Sequence, residues 1–176
     1  MQQLFAKRGA SPVMRIALLV VILLAGYSTL NAWVLGRMTG GGSVFKGDLR
    51  ITHGFELYCQ AETGPIIGPN NLEINFAGNS FHLEELTVGD CSLGPDPKPP
   101  DAPISIYNGR GNGRYNGVSG YLISFRLVDA GEPGVNDTAS YTILTPDGLT
   151  EVLHVDDTLL TFGNQQAHFL TGGKVP

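Results

Sequence analysis

Residues 49–59 read Leu-Arg-Ile-Thr-His-Gly-Phe-Glu-Leu-Tyr-Cys. Leu49, Ile51, His53, Phe55, Leu57 and Cys59 share one face, and Arg50, Thr52, Glu56 and Tyr58 the other. Successive side chains of a strand point to opposite faces, so this period of two predicts a half-buried β-strand. It ends in one of only two cysteines, where a crosslink would anchor.

The signal recurs in shorter pieces. Leu72, Ile74 and Phe76 alternate with Glu73 and Asn75, Gly78-Asn79 marks a turn, and Phe81 and Leu83 complete a hairpin. Ile104 and Ile106 alternate with Ser105 and Tyr107, and Tyr121, Ile123, Phe125 and Leu127 form a later strand. Residues 140–144 and 150–155 flank a Pro146-Asp147-Gly148 turn. Asp156-Asp157 reads as another turn, with strands at 159–162 and 167–170 closing the sheet.

Three stretches read as irregular. Residues 36–47 are glycine-rich and flexible, with brief β character at 43–45. Residues 94–103 hold five prolines, which cannot join a sheet ladder. Residues 109–120, with Asn108, hold three Asn-Gly pairs, each a tight-turn signal. The chain has 24 glycines and 11 prolines, and no stretch after Leu35 has a helical apolar period. The expected class is all-β, an antiparallel β-sandwich or jelly roll preceded by an N-terminal hydrophobic helix.

That helix comes from residues 16–26, an apolar run behind the basic Lys7, Arg8 and Arg15. The pattern is that of a secretory signal, with a cut near Ser28 or Ala32. If uncut, the apolar character continues to Leu35 for about 20 residues, enough for a membrane anchor. Tyr27 stands where a lipobox carries cysteine, which excludes lipid attachment there. Residues 1–32 are thus signal peptide or membrane anchor, 33–38 a short linker, and 39–176 a single domain facing outside the membrane, periplasmic or extracellular. Beyond residue 36, eight basic residues face sixteen acidic ones, a net charge of −8 that argues against a nucleic-acid partner.

Two cysteines in an exported domain predict a Cys59–Cys91 disulfide, worth roughly 3–4 kcal/mol by the loop-entropy model. Of the four histidines, His53, His82 and His168 could meet at a zinc site, although none shows metal-ligand spacing. Asp129, Glu132 and Asp137 gather oxygen ligands that suit calcium, off the spacing of a calcium loop. The alternative in both cases is satisfied side chains and no cofactor. The glycine-rich stretch lacks any phosphate-binding register. Glu84-Glu85 and Asp156-Asp157 are paired carboxylates, but adjacent residues on a strand point to opposite faces, so neither pair converges by itself. No G-x-S-x-G motif is present. Tyr107, Arg110, Arg114, Tyr115 and Asn116 are candidate binding-loop residues for a saccharide or a cell-surface protein.

Seven blocks in order carry a resemblance: T-G-G-G-S-V-F, T-H-G-F-E-L-Y-C, P-N-N-L-E-I-N-F, F-H-L-E-E-L, G-N-G-R-Y-N-G-V-S-G, D-A-G-E-P-G-V-N-D-T and G-N-Q-Q-A-H. Across residues 39–168 the chain resembles the bacterial exported "post-COAP-1" domain, found beside cell-surface anchoring modules. The resemblance implies export and a β-rich module, with no activity to carry over. It departs at Tyr58 and Gln165, where members often have histidine, and this puts a metal role at those positions in doubt. The resulting expectation is a non-catalytic exported module for binding, adhesion or cell-surface structure. The rival is a hydrolase using histidine and carboxylate groups in a strand-lined cleft.

Overall fold

A computed structural model describes residues 36–60, 65–66, 68–94 and 104–169. The signal or anchor segment with its expected helix, residues 33–35 of the linker and most of the proline-rich loop lie outside the described residues.

Nine strands follow one another: β1 (Gly36–Lys46), β2 (Leu49–Tyr58), β3 (Asn71–Phe76), β4 (Asn79–Ser92), β5 (Ile106–Tyr115), β6 (Val118–Val128), β7 (Thr138–Leu144), β8 (Glu151–Leu159) and β9 (Phe162–Phe169). All pair antiparallel in one sheet, in the order β8-β7-β6-β5-β4-β3-β2-β1-β9. The all-β antiparallel class therefore stands. The two-layer sandwich or jelly roll does not: among the described residues one continuous sheet curls on itself, because β1 to β8 each pair with their sequence neighbours and β9 joins the same sheet beside β1.

Alternation of direction along that order makes β8 and β9 run the same way, although they sit at opposite edges. Only Leu160 and Thr161 separate them. The Leu160 N–H donates to the Asp137 carbonyl beside β7 at 2.9 Å, and the Thr161 N–H to the Ser43 carbonyl of β1 at 2.8 Å. One run of chain thus passes from pairing with β7 to pairing with β1, and the sheet's two edges meet there.

Bulges and inward glycines accompany the curl. β4 slips register between Leu83 and Glu85 and again between Leu86 and Val88, and β8 slips opposite Ala139 and Tyr141. Each bulge adds a residue to one strand and bends it. In β5 the inward positions after Tyr107 are Gly109, Gly111 and Gly113. A Cβ on Gly109 would lie 2.0 Å from the Phe125 ring, which occupies the space a side chain would have taken.

Residues 109–115 are therefore strand, and of the three Asn-Gly pairs only Asn116-Gly117 turns, with φ of 49° and 83°. Gly36–Met38, read as linker, begin β1, and Met38 is fully buried. Gly40–Gly42 are strand too, since a Cβ on Gly40 would sit 2.5 Å from the Asn164 carbonyl of β9.

The core lines the concave side. Ile51, His53, Phe55, Leu57 and Cys59 are all buried, as the period of two predicted. Leu72 and Ile74 of β3, Phe81 of β4, Leu127 of β6 and Ile143 of β7 face them. Cys59 and Cys91 are disulfide-bonded, tying the end of β2 to β4 across β3.

Candidate functional site

Two adjacent rows of cross-strand neighbours span the outer face of β4–β8. One runs Asp90, Asn108, Arg126, Ser140; the other Val88, Arg110, Ser124, Thr142, His154. They line an open groove of about 830 Å³. Its floor carries the hydroxyls of Ser124, Ser140 and Thr142, and Asn108 and Arg110 stand at its β5 side. Bulged strands bound both ends, β4 at Val88 and β8 at Asp156-Asp157.

The β8 bulge corrects the sequence argument about paired carboxylates. An extra residue breaks alternation, so Asp156 and Asp157 are both exposed on the outer face. Asp157 Oδ2 takes Arg126 Nη1 at 2.8 Å, and Asp156 Oδ1 lies 3.1 Å from His154 Nε2. The first β4 bulge does the same for Glu84 and Glu85, which hold Arg114 and Asn112 respectively. His154 Nδ1 pairs with Thr142 Oγ1 at 3.0 Å, completing a hydroxyl–imidazole–carboxylate chain along the groove. Neither Thr142 nor His154 stood out in the sequence, because neither lies in a motif. Only the β7–β8 register makes them neighbours.

The sequence candidates scatter. Of the binding-loop set, Arg110 lines the groove. Tyr107 is fully buried and donates its hydroxyl to the Tyr58 carbonyl at 2.8 Å. Tyr115 packs against Phe76 and Tyr121. Asn116 accepts the Ser80 N–H at the β5–β6 turn. Arg114 pairs with Glu84 at 3.2 Å.

Of the histidines, His53 faces the interior, whereas His82 and His168 alternate with buried neighbours and point outward, so a sheet separates them. His168 Nε2 pairs with Thr39 Oγ1 at 2.8 Å. Asp129 Oδ2 accepts the Ala167 N–H, Asp137 Oδ2 accepts the Gln165 N–H, and Glu132 takes the side-chain amides of Asn164 and Gln166. No group of three or more metal-ligating side chains converges among the described residues.

His53 is 6% exposed and stacks on Phe55, with its ring centroid 5.6 Å from that of Tyr141. Burial lowers its pKa from 6.5 to about 4. The unfolded chain therefore binds the extra proton first. The stability held by the neutral ring is complete above pH 6.5 and is lost as pH falls towards 4, by about 3 kcal/mol. His168, also lowered by burial, adds a change of the same sign. Asp137, raised by burial, acts oppositely, its contribution fading as pH rises. Urea titrations of the wild type and of His53→Phe isolate the first effect. The wild type should lose this stability between pH 7 and pH 4 and the variant should not; equal losses would refute the assignment.

No protein-family model matches the chain, and neither the curated proteins nor the solved structures give a match.

Proposed function

We propose that this chain is a non-catalytic exported β-sheet module that binds a neutral saccharide along the outer groove of β4–β8. The observation that carries the reading is the groove's lining. A hydroxyl floor lies beside Asn108, Arg110 and Asp90, and at its β8 lip Arg126 pairs with Asp157. Vicinal sugar hydroxyls need donors and acceptors in close alternation, and this lining of hydroxyls, an amide, guanidinium groups and carboxylates supplies both. Among the described residues Arg110 has no side-chain ion pair, which leaves its guanidinium free for a ligand. Export is supported by the disulfide, which suits an oxidising compartment, and by the basic-then-apolar N-terminus. Attachment to a cell surface, and kinship with the "post-COAP-1" domain, belong to the same proposal.

Affinity electrophoresis against a panel of neutral polysaccharides tests it. Arg110→Ala should weaken binding roughly tenfold, the worth of a hydrogen bond from a charged donor, while Arg114→Ala should leave it unchanged. Equal affinities for wild type and Arg110→Ala would refute the groove as the binding site.

The Thr142–His154–Asp156 chain favours a second reading, hydrolysis with Thr142 as nucleophile. Against it, the Asp156 side chain is 92% exposed, so water screens the charge that would have to stabilise an imidazolium. Turnover of an ester or glycoside that disappears in Thr142→Val would establish this second reading over the first.

A further inference from the structure

We infer that the concave interior holds a binding site for a small neutral molecule that both donates and accepts hydrogen bonds, gripped by His53, Tyr141 and Gln165. The three side chains come from β2, β7 and β9, and are 6%, 1% and 0% exposed. Both ring nitrogens of His53, the Tyr141 hydroxyl and Gln165 Oε1 are buried without a protein partner. Buried polar atoms are almost always hydrogen-bonded, so four unmet atoms in one core mark a place where something else completes them.

Their proximity rests on two contacts. The His53 and Tyr141 rings touch, with centroids 5.6 Å apart. Gln165 Nε2 donates to the Thr138 carbonyl at 3.3 Å, at the start of the strand that carries Tyr141, and Gln165 lies across Gly40 from Phe55, the ring on which His53 stacks.

Chemistry selects the occupant. A neutral imidazole offers one donor and one acceptor, the phenol both, and the amide oxygen an acceptor alone. An anion would meet that amide oxygen with no cation to balance it. Among the described residues a metal ion would find too few convergent ligands. Water satisfies the set, as does a neutral hydroxyl-bearing compound, and either occupies the same site.

A high-resolution crystal structure of the full chain at neutral pH tests this directly. A single round density peak within hydrogen-bond reach of His53 and Tyr141 identifies water. Elongated density with a matching added mass in native mass spectrometry identifies an organic occupant. Both support the site. A direct His53–Tyr141 hydrogen bond, or no peak near these atoms, overturns it. In solution, oxygen-17 relaxation dispersion or native mass should show that Tyr141→Phe loses one long-lived water or the added mass. His53→Phe serves if that variant fails to fold. An unchanged count in a folded variant also overturns the site. The groove reading stands or falls separately, because none of these side chains binds there in that proposal.

Discussion

Asp137→Ala should destabilise the domain by about 4 kcal/mol, because one buried and one half-buried backbone N–H lose a charged acceptor at once. Asp137 is fully buried. Its Oδ1 accepts the Ala130 N–H at 2.9 Å and its Oδ2 the Gln165 N–H at 2.7 Å, while its carbonyl takes the Leu160 N–H. Asp129 repeats the arrangement, accepting the Gly131 and Ala167 N–H groups at 2.9 and 2.8 Å. Among the described residues β9 pairs with a strand, β1, along one edge only. On its other edge, the amides of Gln165 and Ala167 find these two carboxylates where a tenth strand would supply carbonyls. The side chains thus complete the ladder at the point where the curled sheet meets itself. Asp137→Asn should cost less, since an amide keeps one acceptor oxygen but turns a donor towards a donor. Urea denaturation gives the free energies, and hydrogen exchange at the Gln165 amide reports the local contact. An Asp137→Ala loss below ~1 kcal/mol with Gln165 still protected would show that the clamp does not hold the edge.

What the sequence revealed and what it hid follow from range. Side-chain alternation is local, so the buried faces of β2, β3 and β6 were legible from residues 51–57, 72–76 and 123–127. The disulfide was legible because only two cysteines exist. Bulges and strand order depend on partners distant in sequence. Nothing local announces that Glu84, Thr87 or Asp156 is the extra residue that returns the next side chain to the same face. The glycine-rich segments misled for the same reason. Gly109 and Gly113 follow asparagine, a local turn signal, yet the Phe125 and Phe81 rings lean over them and keep them in strand. Propensity is a weak prior, and packing overrode it. The groove was illegible for a related reason. Its two rows draw one or two residues from each of five strands, so no contiguous stretch of sequence records it.

Reduction of the Cys59–Cys91 disulfide should cost the domain roughly 3–4 kcal/mol, since the bond closes a loop of 32 residues. The loss acts mainly on the unfolded chain, which gains freedom when the loop opens. The folded end of β2 keeps other ties. The Cys59 N–H donates to the Gly36 carbonyl, the Gln60 N–H to the Gly89 carbonyl, and the Tyr107 hydroxyl to the Tyr58 carbonyl. The reduced protein should therefore show an unchanged near-ultraviolet spectrum at 25 °C, a melting temperature lower by roughly 10 °C, and a steeper urea dependence. Cys59→Ala with Cys91→Ala should do the same without reductant. An unaltered melting temperature would mean that strand pairing alone fixes this end of the sheet. Against a total of about 5–15 kcal/mol for a typical domain, such a loss is a large share. Compartment and fold are then coupled: in a reducing compartment the same sheet would sit closer to unfolding, and an oxidising one supplies the missing stability.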